Sequence, residues 1–433
     1  MRSSDLSKSG PLFVILLAVI PLIIWLPFSD FSSPPRIWTS LGQAAALVGF
    51  CLYATNVLLS SRLKFIETLF FGLNRAYIIH HQIGVFALVF LLFHPLGIAV
   101  SYTYASVAAA ANLLLWNFDN IPVLLGSIAL WSTILFIVLT LYVRLEYDFW
   151  KSIHHYLGVA LFIAGLHVFL INSTTSISPH LKIYLLTYAA LAVTAFFLRW
   201  FYPRWFSGKK SWYVKSASKI NSDLIELVLT PGLTKPLNFH PGQFIFIEPR
   251  VSGIPFQSHP FSLTSAEKSA DISLTVKMSG DFTRSLPLLA PGHEILVEGP
   301  YGRFGPAFTP GKRQIWIGGG IGITPFVSLT RSLKADNPDD ITLYYLVKDK
   351  QEAVFSPEFY LVTKSVGNFR YQLHISNTSG RFTAKNLSAD HSKLAEYDFF
   401  ICGPVSLMSA LRKQLHDLHI PENKIHTEEF ALN

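Results

Sequence analysis

Between Ala76 and Val100 the chain reads AYIIHHQIGVFALVFLLFHPLGIAV, and between Trp150 and Ile171 it reads WKSIHHYLGVALFIAGLHVFLI. Both runs are long and apolar enough to cross a bilayer as helices, which takes about 20 such residues. They nevertheless hold six of the chain's 15 histidines: His80, His81, His94, His154, His155 and His167. An ionisable side chain inside lipid is costly and is retained where it has a function. A lone histidine so placed more often makes an interhelical hydrogen bond or sits at the interface. Here each run carries a histidine near one end and another 12–14 residues later, which at helical rise separates two levels by roughly 20 Å.

Outward from these runs, four more stretches are span-like: Pro11–Phe28, Ile37–Leu59, Val123–Val143 and Leu181–Phe201. The loops between the six spans set an orientation. Arg2, Lys8, Arg62, Lys64, Arg75, Arg144, Lys151, Arg204, Lys209 and Lys210 fall on one side, with Arg199 close to it; Arg36 and Lys182 lie on the other. The positive-inside rule then predicts both termini in the cytoplasm. Trp38, Trp150, Trp200 and Trp205 stand near span ends, where interface anchors belong. The first run follows Arg2 and Lys8 as in a signal peptide, but no small-residue cleavage site follows closely, so it reads as a retained helix.

Composition agrees with a divided chain. It is 51% hydrophobic and 14% charged, against about 25% charged in soluble proteins. Residues 1–210 hold 13 Lys+Arg and 6 Asp+Glu, whereas residues 211–433 hold 22 and 21. The positive excess therefore belongs to the apolar half, and no charged stripe suits nucleic acid. Cys51 and Cys402 are the two cysteines, too few for a disulfide framework and without CxxC spacing.

Past Trp205 the pattern changes. Residues 211–310 show short β-type runs punctuated by Pro231-Gly232, Pro241-Gly242, Pro291-Gly292 and Gly299-Pro300, which predicts an antiparallel barrel. Residues 312–433 alternate apolar strands (Gln314–Ile317, Ile341–Val347, Tyr371–Ile375, Phe399–Cys402) with helix-like segments, which predicts a doubly wound parallel sheet. The expected fold is thus multi-domain: a six-helix transmembrane bundle over residues 1–207, an antiparallel β-barrel over 208–310 and a doubly wound α/β nucleotide-binding domain over 311–433.

The third and fifth spans run in the same direction, so their histidines can face each other at two levels. Two imidazoles on one iron are the ligation of an electron-carrying haem rather than an oxygen-binding one. Helical phase favours one half of this arrangement. His80 and His94, 14 residues apart, lie only about 40° out of phase. His154 and His167 lie about 140° out, and His155 and His167 about 120°. Tilt, helix crossing or irregularity near Gly158 and Gly165 has to correct the second pair.

His80-His81-Gln82-Ile83-Gly84 followed by His94, and Trp150-Lys151-Ser152-Ile153-His154-His155 followed by His167, resemble the transmembrane domain of the ferric reductase/NADPH oxidase family. The resemblance runs from about residue 40 to the C-terminus. It implies two b-type haems, one on His80 and His154 and one on His94 and His167. The family's ligand stands four residues before a glycine, which selects His80 over His81. Where the family often has arginine after the ligand, this chain has His81 and His155, which then stand near haem propionates or at the interface.

The soluble half continues the resemblance. His259-Pro260-Phe261-Ser262-Leu263-Thr264-Ser265 is similar to the family's flavin motif. It implies that Ser262 meets the flavin N5, that Phe261 offers an aromatic face, and that His259, Pro260 and Thr264 belong to the same FAD site. Gly280-Asp281-Phe282-Thr283 resembles the pyrophosphate motif, through Gly280 and Thr283. Lys277, on the strand between, reads as a solvated side chain. A glycine-rich turn between strand and helix lets backbone amides cradle a pyrophosphate. Gly318, Gly320, Gly322, Thr324 and Pro325 form such a turn in the GxGxxP version of the reductases. Cys402, Gly403 and Pro404 resemble the second nucleotide motif, beside the nicotinamide; alone, Cys402 reads as a core thiol. Phe430, in Glu428-Glu429-Phe430, resembles the terminal aromatic that covers the flavin. Ser262, Cys402 and Phe430 are thereby the residues expected at the reacting rings.

The implied function is electron transfer from cytoplasmic NADPH or NADH, through FAD and two haem b groups, to an external acceptor. The implied setting is a bacterial inner membrane, and no partner subunit is evident. Lys348, Lys350, Ser376 and Arg381 follow nucleotide-domain strands where a 2′-phosphate would sit, which favours NADPH. The external loop of residues 101–120 has no Lys or Arg and only Asp119 as an acid. Such a loop suits oxygen, reduced to superoxide, better than an anionic ferric chelate. Animal oxidases of the family carry a histidine one turn beyond the outer ligand, where this chain has Ile98, which favours ferric reduction. Delivery of electrons to a periplasmic or membrane protein is a further reading. A transporter with a nucleotide-binding tail, the alternative from another class, predicts neither paired histidines nor a flavin motif.

Overall fold

The computed structural model describes residues 3–114, 116–143, 145–202, 208–233, 235–309 and 311–428. Arg144, Arg204, Trp205 and Phe430 lie outside the described residues. The chain divides into two compact units, Asp5–Ser207 and Gly208–Asn433, the second also taking in Met1–Ser4.

Six helices of the first unit are long and apolar enough to cross a membrane. They are α1 (Ser3–Trp25), α2 (Pro34–Ser60), α3 (Leu73–Thr103), α4 (Ile121–Tyr142), α5 (Tyr147–Leu170) and α6 (Pro179–Phe201). Their outward faces expose Ile23, Val85, Phe86, Leu141 and Ile183. So much apolar surface left uncovered on so many long helices is the surface that lipid solvates. Inside, Leu47, Phe50, Ala54, Ala87, Leu161, Leu185 and Ala192 form one apolar core. Small residues bring α2 and α3 together: a Cβ at Gly97 would lie 3.1 Å from Cα of Gly42, and one at Gly49 3.0 Å from Leu91. Buried hydroxyls cross-link the helices, with Tyr53 donating to the Leu157 carbonyl at 2.7 Å and Thr55 meeting Tyr188 at 2.6 Å. Such pairs satisfy polar atoms that lipid cannot.

The second unit contains two sheets. Strands β1 (Lys210–Lys219), β2 (Leu224–Pro231), β3 (Phe244–Pro249), β4 (His259–Ser262), β5 (Ile272–Lys277) and β6 (Glu294–Tyr301) form an antiparallel sheet in the order β4-β3-β6-β1-β2-β5. A bridge between Leu263 and Leu274 joins its two edges, which curls it into a barrel around Trp212, Leu227, Ile245, Ile272 and Ile295. A short helix, α7 (Asp281–Ser285), follows β5.

The second sheet is parallel. Strands β7 (Arg313–Gly319), β8 (Asp340–Val347), β9 (Phe369–Ile375), β10 (Asp398–Cys402) and β11 (Ile425–Glu428) lie in the order β11-β10-β7-β8-β9. Helices α8 (Thr324–Arg331), α9 (Ser356–Ser365), α10 (Ala384–Asp390) and α11 (Val405–Asp417) connect them. The chain starts in the middle at β7, runs out to β9, and returns to the other side at β10. The strand order therefore reverses between β7 and β10, where open α/β sheets bind nucleotides.

Candidate redox sites

The histidines on α3 and α5 meet in two pairs. Ring centres of His80 and His154 are 5.9 Å apart, and those of His94 and His167 are 6.5 Å apart. An imidazole nitrogen binds a transition metal at about 2.0–2.1 Å, and two imidazoles on one metal then have ring centres roughly 6 Å apart. Both pairs fit an iron between them. Among the described residues, no three or more His, Cys, Asp or Glu side chains gather as a metal cage. A metal held by two imidazoles takes its remaining ligands from elsewhere, and a haem macrocycle is one group that supplies four of them.

The second ring nitrogens support the same chemistry. Nδ1 of His80 donates to the Asn56 carbonyl at 3.0 Å, Nδ1 of His94 to Gly42 at 3.0 Å, and Nδ1 of His167 to Pro122 at 2.7 Å. Such bonds fix the tautomer and leave Nε2 with the lone pair a metal takes. The carbonyls come from α2 and α4, and glycines make room for the approach. A Cβ on Gly126, one turn after Pro122, would lie 2.8 Å from Nδ1 of His167. On α2 the accepting residues Gly42 and Asn56 are 14 positions apart, as are His94 and His80 on the facing helix. That repeat is a sequence signal for the supporting shell, and the histidine pattern alone does not reveal it.

The phase mismatch on α5 is met without a break. That helix runs unbroken from Tyr147 to Leu170, past Gly158 and Gly165. His154 and His167 still reach their partners, at 5.9 and 6.5 Å between ring centres. His81 and His155 are exposed, while the four paired histidines are half-buried. His81 lies edge-on to His80 at 5.8 Å, and His155 lies 6.4 Å from Trp200. Lys151, Arg199 and Arg62 act electrostatically on His155, a cationic setting that suits a carboxylate such as a haem propionate.

In the second unit, Ser262 is buried at the end of β4 and pairs with Phe244, which pairs in turn with Tyr301. This row crosses three strands. A Cβ at the next residue, Gly302, would lie 3.0 Å from Phe244 and 3.4 Å from a Glu428 carboxylate oxygen. Glu428 is the register partner of Cys402, and Cys402 also pairs with Gly318. The rows holding the expected flavin serine and the expected nicotinamide cysteine belong to different sheets, which approach each other where Gly302 faces the buried Glu428. Burial, and secondarily Glu428, pushes the Cys402 thiol well above the ordinary thiol value.

The remaining residues of the flavin motif divide. The His259 ring packs on Phe282 at 4.0 Å, and its Nε2 meets Gln257 at 2.7 Å. Phe261 packs against the barrel core and lies parallel to Phe282, which turns its ring toward the barrel interior. Pro260 is half-buried beside it. Thr264 is fully buried, its hydroxyl paired with Ser273 and its carbonyl with Arg331. It ties the barrel to α8 and does not face an open site. Thr283 Oγ accepts from the amides of Ser279 and Gly280 at 3.0 Å each. A Cβ at Gly280 would meet nothing within 4 Å, so that turn is open to a ligand. Lys277 is exposed.

At the sheet reversal, Gly318–Gly322 and Cys402–Pro404 pack backbone to backbone. A Cβ at Gly322 would lie 2.5 Å from the Cys402 carbonyl oxygen, so a side chain there would drive the two loops apart. Gly320 adopts φ +55° with open space around it, the conformation glycine takes most readily. Thr324 and Pro325 begin α8, with the Thr324 hydroxyl donating to the Ile321 carbonyl at 2.9 Å. Lys348, Lys350 and Arg381 are exposed, and the Ser376 hydroxyl donates to Val347.

Comparison with known proteins gives three domain matches in chain order. Residues 45–165 match a ferric reductase like transmembrane component, residues 210–304 an FAD-binding domain and residues 316–413 an oxidoreductase NAD-binding domain. Flavohemoprotein A of Dictyostelium discoideum is 27% identical over 229 residues, covering 49% of this chain and 57% of that protein. The glycine betaine monooxygenase reductase subunit of Pseudomonas aeruginosa is 26% identical over 208 residues, covering 45% and 56%. The chain spans about half the length of these curated relatives. Among solved structures, the flavohem-like FAD/NAD binding domain of nitric oxide dioxygenase from Vibrio cholerae O1 biovar El Tor is 22% identical, with a TM-score of 0.45, over 51% of this chain and 97% of that one. The ferric-reductase-like transmembrane component, the FAD-binding domain and the oxidoreductase NAD-binding domain follow one another in this chain in the order that matches the fused ferric reductase/NADPH oxidase family.

Proposed function

We propose that this protein carries electrons from cytoplasmic NAD(P)H across a bacterial cell membrane and delivers them to oxygen, forming superoxide outside. Two haem b groups, one between His80 and His154 and one between His94 and His167, connect the flavin side to the external side. The observation that carries this reading is the pair of imidazole couples with iron-compatible spacing, three of the four rings anchored through Nδ1. Bound FAD supplies conversion of a two-electron donor into single electrons, and bound haem supplies their one-electron carriage. The protein's part is positioning. Ser262 meets the flavin ring, Cys402 borders the nicotinamide side, Gly318–Gly322 and Gly403 admit the dinucleotide backbone, and Gly280 and Thr283 shape the flavin-phosphate turn. The overall balance is NADPH plus two O2 giving NADP+, one proton and two superoxide ions.

Oxygen is favoured by the external stretch between α3 and α4, which exposes Tyr104, Val107, Trp116 and Phe118 and offers no cation to an anionic chelate. Ferric-chelate reduction is the second reading. Ile98 stands one turn beyond His94 and packs toward Gly42, so no polar group at that position assists oxygen. The exposed Lys348, Lys350 and Arg381 favour NADPH over NADH. The test is a spectrum of the purified protein before and after NADPH, with and without oxygen, together with oxygen uptake and superoxide-dismutase-sensitive reduction of a probe. Haem bands that NADPH reduces and oxygen reoxidises are expected. Turnover that needs added ferric complex, with background oxygen uptake, would replace the oxidase reading with the reductase one. A preparation without haem bands would refute both.

A further inference from the structure

Three of the four paired imidazoles are held alike, by an Nδ1–H donated to a backbone carbonyl. His154 differs. Its Nδ1 is buried and has no hydrogen-bond partner among the described residues. Its ring lies flat on Trp150, with planes 7° apart and ring centres 5.4 Å apart. Trp150 stands four residues earlier on α5, the spacing that places side chains one above the other. The indole is itself held, since its Nε1 donates to the Thr140 carbonyl in the last turn of α4 at 3.1 Å. The His154 plane is thereby set at 61° to that of His80.

We propose that Trp150 is a positioning residue for the inner haem, its indole face taking the place of the missing carbonyl and fixing the orientation of the His154 ring. The inference rests on the two-haem reading above. An axial imidazole can turn about its metal–nitrogen bond unless something holds its far side. At His80, His94 and His167 a directional hydrogen bond does so. At His154 the restraint is offset stacking, which lets the ring slide but resists its turning out of plane. A ligand without an Nδ1–H acceptor is also the weaker electron donor. An iron at the inner pair would thus have one carbonyl-supported ligand, and one at the outer pair two.

The experiment compares the purified full chain with Trp150→Ala and Trp150→Phe, measuring haem per chain and the low-spin ferric EPR signal. That signal responds to the angle between axial imidazole planes, which a merely structural role for Trp150 leaves unmoved. His94→Ala serves to assign the inner signal. W150A is expected to shift and broaden the inner signal while the outer one keeps its position. W150F, which keeps a ring face and lacks the N–H, is expected to retain the native signal. A native signal in W150A overturns the proposal, as does a shift in W150F as large as in W150A. If W150A loses the inner haem, W150F with both haems and the native signal supports the proposal, and W150F without the inner haem overturns it. A wild-type chain without haem refutes the two-haem reading instead.

Discussion

Gly126→Ala adds one methyl group at a position where it decides whether His167 keeps its anchor. The new Cβ would lie 2.8 Å from Nδ1 and 2.9 Å from Cε1 of His167, whereas comfortable contact begins at about 3.5 Å. The imidazole has to retreat by roughly 0.7 Å, and the direction of retreat is away from α4, whose Pro122 carbonyl accepts its Nδ1–H at 2.7 Å. Losing that bond costs about 0.5–1.5 kcal/mol. Comparable losses behind a metal-binding histidine weaken metal affinity by about 10–100-fold. The helix itself gains, because alanine is better than glycine in a helix interior by about 1 kcal/mol. The variant should therefore fold at least as well as the parent and hold the outer haem less tightly. The assay is haem per chain in the purified protein, with the rate of haem transfer to an excess of apo-acceptor protein. Gly165→Ala is the control, since its Cβ would lie 3.8 Å from the Ala189 methyl, an ordinary contact. Two haems per chain with transfer rates unchanged in G126A would refute the role assigned to the Pro122 anchor.

Two further outcomes follow from the soluble unit. Residues 208–433, expressed with FAD, should bind the flavin and reduce an artificial dye with NAD(P)H, because Gly208–Asn433 is compact on its own; a folded fragment that never takes up FAD would sink the site assignment. In that fragment Cys402 is the sole cysteine, and it should resist alkylation at pH 8 while labelling readily in denaturant, each unit of upward shift costing about tenfold in thiolate. The sign of the linked stability is fixed as well: a thiol raised by folding contributes fully below the ordinary value of about 8.5, and the contribution is lost as pH rises past it. Rapid alkylation of the folded fragment would show that Cys402 is neither buried nor neutral.

The six spans and the two sheet types were legible because each rests on a periodicity or a run length that the chain repeats many times. The glycine-rich turn at the sheet reversal was legible as a turn because Gly320 and Gly322 are required by backbone conformation and close approach, which only glycine supplies. Thr264 and Phe261 were less so. A motif fixes that they lie beside Ser262 but not which way each side chain turns; the Thr264 hydroxyl turns to Ser273 and the Phe261 ring to Phe282. Least legible were the anchors of the histidines. A backbone carbonyl is present at every residue, so nothing in the identity of Asn56 or Pro122 announces that its oxygen accepts from an imidazole.

The unequal support of the four histidines follows from the unequal spacings, 14 on α3 and 13 on α5. Fourteen residues are two heptads, over which a straight helix drifts by about 40°, the drift that a left-handed helix crossing takes up. A neighbour that repeats every seven residues can then serve both levels, and α2 does, through Gly42 and Asn56. Thirteen residues leave His154 and His167 about 140° apart, so no single neighbour can anchor both. His167 finds its carbonyl on α4, beside the gap that Gly126 leaves. His154, facing elsewhere, finds a ring from its own helix instead. A one-residue difference in spacing thus separates a histidine pair with two carbonyl-anchored rings from one in which, on the reading proposed above, an indole completes the support.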